Sequence, residues 1–127
     1  MSAYWDKARQ AARSARLLLE ADDPNGAANR AYYAMFNTAR AALAARSAIE
    51  VADVRRHTAL RQLFSLHIVR PGLVPGEASR ALNEVFSIRA VADYDRDAVS
   101  SEDARQLIEA TTSMLEAVDR LLAENGN

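Results

Sequence analysis

The segment around Arg89 carries charged and aromatic side chains at a spacing suited to phosphate binding. Arg89 is followed by Asp93 and Tyr94 in the run Arg-Ala-Val-Ala-Asp-Tyr. Residues four apart share one face of a helix, so the Arg89 guanidinium can pair with the Asp93 carboxylate. If partly buried, the pair would be held rigidly and could present Arg89 to a phosphate group. The alternative is an ordinary surface ion pair, which contributes roughly 0.3–0.5 kcal/mol.

A second candidate region lies between residues 28 and 43, where aromatic and amide side chains interrupt a run of alanines. At helical spacing these residues form two neighbouring stripes. The apolar stripe, which we expect to face the core, contains Ala28, Tyr32, Phe36, Ala39 and Leu43. The polar stripe contains Asn29, Tyr33, Asn37 and Arg40. An apolar stripe beside a polar, aromatic one is typical of a helix that packs against the core and also has a second role. The alternative is that Tyr33 lies at the rim of a bundle with its hydroxyl in water.

The two histidines, His57 and His67, are the side chains whose ordinary pKa lies closest to neutral pH. They are ten residues apart, which excludes an i, i+4 metal pair, and the chain has no cysteine. His57 begins a predicted helix and is our candidate for acid–base chemistry or phosphate contact, whereas we expect His67 to be a partly buried spacer. The chain lacks a glycine-rich phosphate loop and a nucleophile elbow. We therefore expect no metal site and no bound cofactor.

The composition is that of an ordered, largely helical protein of one domain. The chain has 127 residues, of which 50% are hydrophobic and 26% charged, with four glycines and three prolines. The formal net charge is −1, but the N-terminal half is positive and the C-terminal half negative, so a local basic patch is compatible with the sequence. Lys7 is the only lysine. Neither a signal-peptide core nor a run of about 18 apolar residues is present, so we expect a cytoplasmic protein without a membrane span.

Helical periodicity recurs along the chain, and no strand pattern interrupts it. Helices are predicted over about residues 2–21, 24–47, 57–69, 75–94 and from about 100 to a frayed end. Proline and glycine at residues 24–26 and 71–72 separate them. The predicted fold is all-α: an antiparallel up-and-down bundle of four main helices plus a shorter one, in a single domain over residues 1–127.

Three blocks of the sequence resemble the HEPN superfamily (higher eukaryotes and prokaryotes nucleotide-binding), in its small single-domain prokaryotic branch. They are Asn-Arg-Ala-Tyr-Tyr-Ala-Met-Phe-Asn-Thr-Ala-Arg-Ala-Ala-Leu at 29–43, Arg-His-Thr-Ala-Leu-Arg-Gln-Leu-Phe at 56–64 and the run from Arg89 to Tyr94. The match covers roughly residues 5 to 122. The resemblance implies a helical bundle that commonly dimerises around a polar cleft. It also implies a group in which many proteins are metal-independent endoribonucleases, often toxins in toxin–antitoxin or phage-defence systems. Such proteins are frequently encoded beside a small nucleotidyltransferase.

The resemblance also implies roles for particular residues. In nuclease members an Arg is followed several residues later by a His, and the two act on the phosphate and on a proton. Arg89 matches this Arg, but Tyr94, Asp95 and Arg96 stand where the His would fall. His57 is then the candidate for supplying the missing imidazole. The catalytic set that the resemblance implies is Arg89, Asp93, Tyr94 and His57, and the nucleotide- or RNA-binding set is Asn29, Arg30, Tyr33, Asn37 and Arg40.

Three functions are consistent with the sequence at this point. The first is a nucleotide- or RNA-binding homodimer in a toxin–antitoxin or defence-type module, with endoribonuclease activity as its extension. The second is a non-catalytic subunit that binds a small nucleotidyltransferase, which the missing His favours. The third is a structural bundle whose polar residues lie at its rim.

Overall fold

The computed structural model describes residues 3–47, 50–51, 57–84 and 99–125, without the side chains of His57 and Asn125. Within these ranges every regular element is a helix, which confirms the all-α prediction. Helix α1 spans Ala3–Glu20, α2 spans Pro24–Arg46, α3 spans His57–Phe64, residues 76–84 belong to α4, and α5 spans Ser101–Asn125. None of the helices in the described ranges combines the length and apolar character of a membrane span.

A tight turn joins α1 to α2, and two aspartates, Asp22 and Asp23, determine its geometry. Asp22 has a φ of 65°, in the left-handed region that Asp tolerates better than most residues. The Asp23 N–H donates to the Leu18 carbonyl (2.9 Å), which closes the end of α1. Asp23 also caps α2, since its Oδ1 accepts a hydrogen bond from the Gly26 N–H at 2.9 Å. A Cβ on Gly26 would meet the Asp23 carboxylate, so any larger residue at position 26 requires that side chain to rotate.

Contacts between α1 and its neighbours fix the helix directions. Arg40, near the end of α2, stacks on Tyr4 at the start of α1, so the two helices are antiparallel. The Arg16 guanidinium donates to the Thr112 hydroxyl (2.7 Å). Because α2 runs antiparallel to α1 and parallel to α5, as its end contacts show, α5 is also antiparallel to α1.

Helices α2 and α5 run parallel to one another. At their first turns the Val99 N–H donates to the Asn25 side-chain oxygen (2.7 Å), and at their last turns Arg46 and Glu124 form an ion pair at 3.6 Å. In an up-and-down bundle of four main helices, the second and the fourth run parallel. With the short α3 left out of the count, α2 is the second and α5 the fourth. These directions agree with the predicted topology.

The core consists largely of alanine on α1 and α2 and of larger aliphatic side chains elsewhere. Alanines that are almost fully buried on the first two helices are Ala8, Ala11, Ala15, Ala27, Ala31, Ala34, Ala39, Ala41 and Ala42. The largest fully buried side chains include Met35, Leu43, Leu60, Phe64, Ile68, Leu107 and Met114. Small side chains at a helix contact shorten the distance between helix axes. The small side chains therefore allow the first two helices to pack closely.

The third predicted helix is confirmed over its full length, with one change of geometry. After Phe64 the chain continues as a π-helical turn over Ser65–Val69, and the Arg70 N–H donates to the Ser65 carbonyl at 2.9 Å. Gly72, with a φ of 82°, follows Pro71 and ends the segment as predicted. The start of α5 is also confirmed, because the Ser100 hydroxyl accepts a hydrogen bond from the Asp103 N–H at 3.0 Å.

The alanine packing makes a testable prediction for Ala31, which is fully buried on α2. We expect Ala31→Leu to lower the free energy of unfolding by about 1–3 kcal/mol, because extra methyl groups overfill a packed core. Urea denaturation followed by circular dichroism measures this change. The matched control is Ala44→Leu, an exposed position on the same helix, where a change within about 0.5 kcal/mol is expected. Equal losses at both positions would contradict the packing argument.

Candidate functional site

Helix α2 places its five predicted binding residues at two different depths. Asn29 and Tyr33 are exposed and Arg30 is half-buried, whereas Asn37 is buried and Arg40 is half-buried beneath aromatic rings. Because α2 contacts α1, α3 and α5, only a narrow part of its surface faces solvent. The five residues therefore divide into an outer group (Asn29, Arg30, Tyr33) and an inner group (Asn37, Arg40).

In the outer group, Arg30 and Tyr33 form a stacked pair. The guanidinium carbon of Arg30 lies 4.8 Å from the Tyr33 ring centroid, within the range of a cation–π interaction. Tyr33 is 39% exposed, which makes it one of the large apolar side chains that reach the surface of the described structure. The pair thus combines a positive charge with two flat surfaces at the edge of α2.

The stacked pair borders a cleft between α1 and α2, which we call the α1–α2 cleft. Its volume is about 380 Å³, and its walls are Lys7, Gln10, Ala11, Ser14, Arg30 and Tyr33. Among the described residues no acidic side chain lines it. Two cations, an amide, a hydroxyl and an aromatic ring are the groups that bind phosphate, polar base edges and base faces.

Lys7, Gln10 and Ser14 of this cleft were missed by the sequence analysis. They lie at i, i+3 and i+7 on α1, which places them on one face of that helix. The spacing and the uniqueness of Lys7 were available signals. The direction of that face was not, because it depends on which side of α1 is covered by α2.

Arg40, in the inner group, is held between aromatic rings. Its guanidinium carbon lies 4.4 Å from the Phe36 centroid on α2 and 5.5 Å from the Tyr4 centroid on α1. Tyr32 and Phe36, which we predicted for the core, are half-buried with ring centroids 6.1 Å apart. This environment favours a packing role for Arg40, in which it joins α2 to the first turn of α1.

Asn37 is turned towards the helix that carries it. Its side chain is buried, with 3% exposure, and its Nδ2 donates to the Tyr33 carbonyl at 3.0 Å. The buried amide is thereby satisfied without a ligand. The periodicity placed Asn37 in the polar stripe correctly, but a stripe does not reveal which of its members a neighbouring helix covers.

A second cleft lies on the other side of α1, against α5, and we call it the α1–α5 cleft. Its volume is about 430 Å³; its basic wall is Arg9, Arg13 and Arg16, and its acidic wall includes Glu116 and Asp119. Two carboxylates in the same cleft repel a phosphate, and Arg16 already donates to Thr112. Of the two clefts, the α1–α2 cleft is electrostatically the better suited to a polyanion.

The predicted catalytic residues lie outside this description. Arg89, Asp93 and Tyr94 are outside the described residues, and of His57 only the backbone, at the first position of α3, is described. His67, in the π-helical turn, is half-buried, as the sequence analysis expected. The catalytic set therefore stays a prediction.

Comparison with known proteins places the fold and the α2 motif in a family. The family model described as the HEPN domain matches residues 1–121 of the sequence. The chain belongs to the HEPN domain family. This match confirms the resemblance that the blocks at 29–43, 56–64 and 89–94 suggested, and it spans every described helix in whole or in large part.

Three curated relatives are similar to this HEPN chain over most of their length. A protein of Methanocaldococcus jannaschii named "Putative toxin" is 26% identical over 111 residues, which are 87% of this chain and 80% of the relative. UPF0332 proteins of Gloeobacter violaceus and Thermotoga maritima are 30% and 28% identical, covering 94% and 95% of this chain and 93% and 90% of the relatives. Of these three relatives, one carries the word toxin in its name.

The two depths on α2 predict different effects of removing each arginine. We expect Arg40→Ala to lower the free energy of unfolding by about 1–2 kcal/mol, because a partly desolvated cation–π contact and the packing of the alkyl stem are both lost. For Arg30→Ala we expect a loss below about 1 kcal/mol, since its stack on Tyr33 lies at the surface. Urea denaturation of both variants checks this order, and a larger loss in Arg30→Ala would refute the division into outer and inner groups.

Proposed function

We propose that this HEPN protein binds RNA as a homodimer in a toxin–antitoxin or defence-type module. The observation that carries the proposal is the acid-free, cationic α1–α2 cleft on a domain of the HEPN family. Arg30 and Tyr33 contact the RNA, with exposed Asn29 one turn away, while Asn37 and Arg40 hold α2 in shape. The relative named "Putative toxin" supports the assignment to such a module.

The proposal extends to metal-independent cleavage of RNA at Arg89. In such a reaction the 2′-hydroxyl oxygen attacks the adjacent phosphorus and the 5′-oxygen leaves. Arg89 stabilises the charge that develops on the phosphate oxygens, and Asp93, four residues later, belongs to the same proposed catalytic set. His57 or Tyr94 moves the proton between the two oxygens.

Cleavage by Arg89 is testable with the purified protein and a mixed RNA pool in EDTA. We expect Arg89→Ala to reduce the rate by about 10²- to 10³-fold, because a group that stabilises transition-state charge is removed. The matched control is Arg80→Ala, which removes an exposed arginine of α4 and should leave the rate unchanged. Equal rates for Arg89→Ala and the unaltered protein would refute the assignment.

The identity of the proton-transferring residue requires a separate pair of variants. If His57 moves the proton, His57→Gln reduces the rate by about 10²-fold or more, and Tyr94→Phe has little effect. His67→Gln is the control, because it removes the other histidine from a half-buried position. A loss in Tyr94→Phe with full activity in His57→Gln would reverse the assignment.

The absence of a His after Arg89 favours one alternative, in which the protein is a non-catalytic subunit that binds a nucleotidyltransferase. In that case the protein does not cleave RNA but forms a stable complex with the product of a neighbouring nucleotidyltransferase gene. Light scattering distinguishes the homodimer from this complex by mass. Cleavage that depends on Arg89 would exclude the alternative.

A further inference from the structure

The two walls of the α1–α2 cleft carry different kinds of side chain, with hydrogen-bonding groups on α1 and a stacked pair on α2. Lys7, Gln10 and Ser14 follow one another along α1, over about 10 Å at 1.5 Å per residue. Arg30 and Tyr33 form the opposite wall, on α2. One wall thus donates and accepts hydrogen bonds, while the other offers a flat stacked surface.

We infer that the α1–α2 cleft is a subsite for one nucleotide of single-stranded RNA, in which the base stacks on the Arg30–Tyr33 pair and Lys7 binds the adjoining phosphate. This inference rests on the proposed function, because it takes RNA as the ligand. It adds a binding site away from the Arg89 segment and uses three residues of α1 that lie outside all three motif blocks.

The charge of the cleft fits a phosphate. Lys7 makes no side-chain ion pair or hydrogen bond with another described residue, and Arg30 contacts Tyr33 without a carboxylate partner in the described part of the chain. A bound phosphate would therefore meet two cations that form no ion pair with a described carboxylate. The α1–α5 cleft is a poor site for the same group, since Glu116 and Asp119 stand opposite its arginines.

The shape of the cleft fits a nucleotide. Its volume of about 380 Å³ falls in the range of small-ligand pockets, roughly 300–1,000 Å³. Gln10 and Ser14 can pair with the polar edge of a base or with a 2′-hydroxyl, while Tyr33 and the Arg30 plane accept its face. Tyr33 is held by Arg30, so little side-chain freedom is lost when a base stacks on it.

The stacking surface selects single strands over duplexes. A base in a duplex is stacked on its neighbours and does not present its face to a side chain. A base in a single strand does, and stacking of this kind tolerates any base identity. The cleft should therefore favour single-stranded RNA without strong sequence preference.

The test is fluorescence anisotropy in EDTA, with a 5′-labelled eight-nucleotide oligouridylate and a labelled duplex of equal length as probes. Every protein in this test carries Arg89→Ala, so that the probes stay intact. The protein with this substitution alone is called the parent. We expect Tyr33→Ala to weaken single-strand binding about tenfold, and Tyr33→Phe to bind within about twofold of the parent because the ring face is kept. Binding to the duplex should be weaker in the parent and little changed in either variant.

The phosphate contact is tested by the salt dependence of the same binding. Removing one phosphate contact lowers the slope of log K against log salt by about 0.7 for single strands, and this is the expected result for Lys7→Gln. The matched control is Arg13→Gln, which removes one charge from the opposite side of α1, in the α1–α5 cleft. The control should change the slope less than Lys7→Gln does.

The outcomes separate this inference from the proposed function. If the parent binds single-stranded RNA but Tyr33→Ala and Lys7→Gln bind as tightly as it does, the subsite is refuted and the RNA-binding function stands. A loss in Arg13→Gln equal to that in Lys7→Gln also refutes the subsite, because the effect is then general charge. If the parent binds neither probe, both are refuted.

Discussion

The packing of α1 against α2 depends on alanine, and much of the remaining structure follows from it. Where two helices meet through single methyl groups, their axes can approach closely and leave no room for large side chains between them. Ala11 is nearly inaccessible at the floor of the α1–α2 cleft. Tyr4, Tyr33 and Phe36 are not fully buried, and each lies against an arginine. The alanine contact is thus accompanied by an aromatic–cationic surface on the same two helices.

The helices and their ends were predictable because their signals are local. Asp23 and Pro24 mark the start of α2, and Ser100 marks the start of α5. Pro71 and Gly72 mark the end of the third helical segment. The π-helical turn at Ser65–Val69 was not predictable, since its apolar spacing is compatible with an ordinary helix. Phe64 and Ile68 are both fully buried, and their separation of four residues would place them on one face of an ordinary helix as well.

The site was predictable in part, for a reason that concerns neighbours. Arg30 and Tyr33 stood out by type and spacing, and they do line a cleft. Asn37 stood out equally and is inside the protein. What separates them is the course of α1 across α2, which no pattern within α2 encodes. The sequence analysis overlooked Lys7, Gln10 and Ser14 for the same reason. They form part of a cleft only because α2 lies beside them.

The hydrogen bond between Gly26 and Asp23 makes the effect of one residue depend on the identity of the other. With Asp23 present, Gly26→Ala obliges the carboxylate to rotate away from the added methyl group, which disturbs the cap. Once Asp23 is itself replaced by alanine, there is no cap to lose, and alanine at position 26 is favoured over glycine by about 1 kcal/mol of helix propensity. The benefit of the same substitution is then smaller in the first background than in the second. The physical contact thus couples the two positions, so the effect of a change at position 26 depends on whether position 23 has changed before it.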